Sequence, residues 1–140
     1  MERSHRETRH RRPRLSKSAD FDRVYRKGRS VASRHLVLYA FPRADEEDGE
    51  DTDVRLGVSV GRKVGGAVER NRVKRRIREA FWSIDELPAR HDFVVVARPS
   101  VTTLVGGEGF DGLRQDLDDL DGRLAGPQDG DAGTSSAEAA

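Results

Sequence analysis

The chain has 140 residues, 34% of them hydrophobic and 36% charged, a formal net charge of +1 at pH 7, and no cysteine. That length suits one domain with a small core, and the polar balance leaves room for unstructured segments. The lack of cysteine excludes disulfide frameworks, thiolate metal sites and thiol nucleophiles, and no apolar run approaches membrane length.

Residues 1–14 hold Pro13 among many Arg and His and show no apolar periodicity, so they read as a disordered basic arm. With Glu2 and Glu7 and no apolar h-region, this start argues against a secretory signal, and a cytoplasmic location is expected. The folded domain is expected over 15–125. Ser18 is a plausible N-cap, and Phe21, Val24 and Tyr25 share one face of a short helix ending near Gly28. "HLVLYAF" (35–41) reads as a strand bounded by Pro42, with His35, Val37, Tyr39 and Phe41 on one face. The acidic stretch 44–53 reads as a solvated loop, because "VRLGVSV" after it places Val54, Leu56, Val58 and Val60 on one strand face.

Residues 67–84 fit a helix at 100° per residue. Val73, Ile77, Ala80, Phe81 and Ile84 fall within an arc of roughly 100°, and Asn71, Lys74, Arg75 and Arg78 occupy another on the opposite side. "DFVVVARPS" is a nearly continuous apolar run suited to a central strand. Phe110, Leu113, Leu117, Leu120 and Leu124 then recur at helical spacing, and the tail 126–140 reads as disordered. The order α-β-β-α-β-α, with room for an extra short strand, defines an α+β two-layer sandwich of helices on a small mixed sheet.

The small net charge conceals segregation. Residues 1–43 carry 13 basic against 4 acidic side chains, 44–53 carry 7 acidic and no basic, 54–98 carry 11 against 5, and 99–140 carry 2 against 9. A positive body and arm beside acidic appendages is the footprint of a polyanion binder. Other chemistry finds little support. His5, His10, His35 and His91 lack metal-ligand spacing, the acidic run lacks an EF-hand's alternation, and "GRKVGG" fits neither nucleotide-binding glycine motif. No GxSxG is present. No cofactor or metal is expected on the protein itself.

The cations of the 67–84 helix project at successive turns, where they can follow a phosphate backbone. Asn71, in their midst, suits a base, a 2′-hydroxyl, a phosphate or its own backbone. Tyr25 and Tyr39 have hydroxyls that tolerate water and so suit stacking on unpaired bases, whereas Phe21 divides evenly between core and stacking.

On these residues the sequence resembles the bacterial ribonuclease P protein family. "RKVGGAVERNRVKRRIRE" is similar to the family's Arg-Asn-Arg signature, supported by "RLSKSADFDRVYRKGRSVASRHLVLYAF" before it and "DFVVVARPSV" after it. The resemblance implies a noncatalytic subunit that binds a large catalytic RNA and the single-stranded 5′ leader of precursor tRNA. Cleavage falls to the RNA and its bound magnesium, and no membrane is involved. It places Phe21, Tyr25 and Tyr39 in a leader-binding cleft between the first helix, the sheet and the signature helix. Arg70, Asn71, Arg72, Lys74, Arg75, Arg76 and Arg78 fall on the signature helix, with Arg62 and Lys63 just before it, as RNA-binding positions. A left-handed βαβ crossover is also implied, against the usual hand. Gly66 departs from the family's usual Asn, and the acidic loop and tail look like additions expected to point away from RNA. A structural RNA-binding protein of the ribosome or a translation-factor-like domain is the alternative.

Overall fold

The computed structural model describes residues 12–43, 53–103 and 110–125. The acidic loop 44–52, the tail 126–140 and residues 1–11 of the basic arm lie outside the described residues. The elements are helix α1 (Ser18–Lys27), strands β1 (Arg29–Ala32), β2 (Leu36–Pro42) and β3 (Arg55–Val60), and a 3-10 turn (Arg62–Val64). Helix α2 (Ala67–Trp82), strand β4 (His91–Ala97), a helical turn (Val101–Thr103) and helix α3 (Phe110–Ala125) follow.

The sheet order is β1-β2-β4-β3. β2 lies antiparallel to β1 and β4, and β3 runs parallel to β4, with Leu56 opposite Phe93 and Val58 opposite Val95. Parallel neighbours cannot be joined by a tight turn, so α2 serves as the crossover between β3 and β4. β1 is the extra short strand. It is set against β2 by the tight close of α1, where the Gly28 N–H donates to the Val24 carbonyl at 2.8 Å. A side chain at Gly28 would come within 2.6 Å of that oxygen and 2.8 Å of the Ala40 carbonyl oxygen, so the approach requires glycine. Ser18 is the first helical residue and not the cap. Lys17 occupies the cap position without a side-chain hydrogen bond, while Asp20 in the first turn pairs with Arg23.

One sheet face carries α2 and α3. Val73, Ile77, Ala80, Phe81 and Ile84 are buried there with Val54, Leu56 and Val58 of the β3 side and with Leu113, Leu117, Leu120 and Leu124 of α3. The other face carries α1 over a smaller cluster of Leu15, Val24 and Val94, against which Phe21, Tyr39, Phe41 and Val96 pack. The central strand β4 therefore has apolar residues on both faces, and Val94 and Val95 are both fully buried.

At the start of β4 the fully buried Asp92 carboxylate accepts from Arg43 at 2.8 Å, and from Arg55 through Nε at 2.8 Å and Nη2 at 2.9 Å. Arg43 also donates to the Asp53 carbonyl at 2.8 Å, so this cluster fastens both ends of the 44–52 segment to the sheet. Breaking such a buried group by removing one partner typically costs about 3–5 kcal/mol.

Asp121 of α3 borders a cavity of ≈ 560 Å³ beside Glu86 and Leu124. Burial, and then the neighbouring Asp118 and Glu86 carboxylates, raise its pKa to about 6. The folded state thus binds this proton more tightly than the unfolded chain, so the contribution turns unfavourable as pH rises from 3.8 towards 6 and remains so above it. Asp121→Asn should raise stability by about 1 kcal/mol at about pH 7.5, after allowance for solvent screening, and give little or no gain at about pH 4. Urea unfolding at both pH values checks this; an equal gain at both would contradict it.

Candidate nucleic-acid interface

Helix α2 spends one stripe of its surface on the core and leaves the rest to cations. Asn71, Arg72 and Arg75 are exposed, and Arg70, Lys74, Arg76 and Arg78 are half-buried along its flanks. Arg62 and Lys63 stand exposed on the 3-10 turn before it. Glu69 and Glu79 lie at helical spacings that could pair with these cations. Among the described residues, however, none of the α2 cations forms an ion pair or a side-chain hydrogen bond. Within the described residues the positive stripe is therefore uncompensated.

The three aromatics expected to stack come together on the opposite face of the sheet. The Phe21 and Tyr25 ring centroids lie 6.2 Å apart, and Tyr25 meets Tyr39 edge-on at 5.0 Å and 73°. Phe21 lies over Gly57, where an added Cβ would approach its ring to 2.6 Å. It thus forms the floor of the patch, with Tyr39 half-buried beside it and Tyr25 39% exposed at its rim. Burial raises the Tyr25 pKa, opposed by a hydrogen bond with the Ser59 side chain and reinforced by Tyr39, so the phenol is neutral at physiological pH. Arg23 stands over the Phe41 ring at 5.7 Å and extends the patch with a cation.

The aromatics are thus one group and the α2 cations another, on opposite sheet faces, and β3 links them. Ser59, the partner of Tyr25, precedes Arg62 by three residues. Sequence reasoning missed Arg23 and Ser59, whose roles depend on neighbours distant in the chain. It also left Arg14 in the arm. The structure instead lays this segment along the free edge of β3, where Leu56 donates to the Pro13 carbonyl at 3.1 Å and Leu15 donates to the Leu56 carbonyl at 3.0 Å. Among the described residues no group of three or more His, Asp or Glu could hold a metal ion, and no helix is long and apolar enough to cross a membrane.

An α+β domain with an uncompensated cation helix on one face and an aromatic patch on the other is built as an RNA-binding protein. Comparison with known proteins gives the family. The ribonuclease P family model matches residues 10–124. The ribonuclease P protein component of Exiguobacterium sp. is 42% identical over 101 residues, covering 72% of this chain and 83% of that one. The solved ribonuclease P protein of Staphylococcus aureus superposes with a TM-score of 0.64 at 36% identity, over 76% of this chain and 94% of that one. That of Thermotoga maritima gives 0.66 at 31%, over 80% and 97%. The chain belongs to the ribonuclease P protein family, and with membership comes a general role in RNA binding and tRNA processing. The expectation of a cytoplasmic location is withdrawn: the family match and the matched proteins point to ribonuclease P and RNA, and none carries a compartment.

The fit of Phe21 over Gly57 predicts a contrast between two glycines. Gly57→Ala should cost about 1–3 kcal/mol through overpacking. Gly61→Ala, where an added Cβ meets nothing within 4 Å, should be neutral. Chemical denaturation of both variants checks this, and equal stabilities would contradict it.

Proposed function

We propose that this protein is the noncatalytic subunit of ribonuclease P, holding the catalytic RNA through α2 and the 5′ leader of precursor tRNA through the aromatic patch. The observation that carries the reading is that the α2 cations have no ion pair or side-chain hydrogen bond among the described residues. Arg62, Lys63, Arg70, Arg72, Lys74, Arg75, Arg76 and Arg78 keep their charge for an outside anion, and the rigid crossover helix holds most of them at fixed spacing. Asn71, exposed among them, can donate and accept hydrogen bonds at a phosphate or 2′-hydroxyl.

The aromatic patch supports leader binding. The exposed rim of Tyr25 and the half-buried Tyr39 offer ring surface to unpaired bases, while Phe21 supports them from below. Stacking of this kind tolerates any base, as a processing enzyme with many substrates requires. The protein positions and neutralises; the magnesium ions that assist strand cleavage belong to the RNA in this reading.

Precursor tRNA cleavage at low magnesium, by a bacterial ribonuclease P RNA with and without this protein and by the protein alone, tests the proposal. Cleavage should be restored only by RNA and protein together. Cleavage by the protein alone would contradict the noncatalytic role. RNA binding without rescue would favour a structural RNA-binding role instead. If about four α2 cations each neutralise one phosphate, log affinity should fall against log salt with a slope of roughly −3, a loss of tens-fold between about 50 and 200 mM.

A further inference from the structure

Arg14 on the edge of the sheet and Arg78 of α2 lie on the same side of the sheet, and among the described residues neither is paired with a carboxylate. The parallel bridge between Arg14 and Leu56 makes their side chains leave the same sheet face. Leu56 is buried in the core beneath α2, so Arg14 projects to the α2 side, while Leu15 turns into the aromatic-side cluster. Arg14 is exposed, and Arg78 of α2 is half-buried. The Arg78 Nε is itself buried and has no hydrogen-bond partner. Burial, and then the charge of Arg14, lower the proton affinity of Arg78, although a guanidinium remains protonated throughout the physiological range.

Two like charges that act on each other, one of them partly stripped of water, are unfavourable in the free protein. Such an arrangement becomes favourable when an anion accepts from both. A phosphodiester suits it, because its two free oxygens can each receive guanidinium N–H groups. Neither arginine has an ion pair among the described residues.

We infer that Arg14 and Arg78 form a two-armed clamp for a single RNA phosphate, joining the segment on the β3 edge to helix α2. The inference rests on the proposed RNA-binding role and adds Arg14 to it. Because Arg14 lies on the face opposite Phe21, Tyr25 and Tyr39, the phosphate belongs to the catalytic RNA and not to the leader. The strand-like pairing of Pro13 and Leu15 with Leu56 fixes where Arg14 stands, so the clamp is set by backbone hydrogen bonds on one side and by the crossover helix on the other.

The test uses the full chain, a bacterial ribonuclease P RNA as the probe, and Arg14→Gln, Arg78→Gln and the double variant. Wild-type binding comes first, since its failure would overturn the proposed function and not the clamp alone. Given wild-type binding, Arg14→Gln should weaken affinity for the RNA several-fold and make the salt slope shallower, and the double variant should make it shallower by about 0.7–0.9 in all, the value for one phosphate contact. The double variant should lose less than the sum of the single losses, because both side chains serve one phosphate. Urea unfolding of the RNA-free Arg14→Gln protein should show unchanged or greater stability, since a repulsion has been removed. Arg14→Lys should keep the slope and lose part of the affinity, as charge without the forked donor would. An unchanged affinity and slope for Arg14→Gln, or additive losses in the double variant, would overturn the clamp. So would a loss seen only with precursors that carry a leader, which would assign the phosphate to the substrate. A fall in RNA-free stability of Arg14→Gln with an unchanged slope would make Arg14 a structural residue.

Discussion

The parallel pairing of β3 with β4 is the constraint on which the rest depends. It demands a crossover, and α2 is that crossover. A crossover helix must pack one face on the sheet, and Val73, Ile77, Ala80 and Phe81 do so. The flanks and outer surface of the helix carry the cations, half-buried at Arg70, Lys74, Arg76 and Arg78 and exposed at Arg72 and Arg75. The stripe is held rigid because the same helix is essential to the core.

The same constraint separates the chemistry. Among the described residues α2 and α3 cover one sheet face and only α1 covers the other, which leaves Tyr39, Phe41 and Val96 partly exposed. The exposed remainder is where Tyr25 and Tyr39 meet. Gly57 matters here because its missing side chain admits the Phe21 ring against the sheet. At the free edge of β3 the alternation of Arg14 and Leu15 serves both faces, one residue to each. The buried Asp92 with Arg43 and Arg55 anchors the other end of the sheet, so the pairing of β3 with β4 is held by charge as well as by the ladder.

Local periodicity was enough to read much of this. The apolar stripe of α2 and the leucines of α3 report burial through spacing alone and are buried, while of the alternating β3 face Val54, Leu56 and Val58 are buried and Val60, at the strand end, is only partly so. The grouping of Phe21, Tyr25 and Tyr39 came from the family resemblance, since helix and strand spacing cannot say that α1 crosses β2 where Tyr39 lies. The Asp92 cluster was hidden because its partners are 37 and 49 residues away and a charged residue before an apolar run resembles surface. Arg14 was hidden for a related reason. A two-residue pairing has no period, and the surrounding positive charge masked the single apolar signal of Leu15.

The central claim is that the two faces have separate tasks, one for the catalytic RNA and one for the leader. The direct measurement is a pair of affinities for the Tyr25→Ala and Arg75→Ala proteins: protein for catalytic RNA, and assembled enzyme for precursor tRNA with and without a leader. The account predicts that Tyr25→Ala lowers only the leader-dependent affinity, by about 1–3 kcal/mol, and that Arg75→Ala lowers only the affinity for the catalytic RNA. Equal losses in both affinities from either substitution would contradict it.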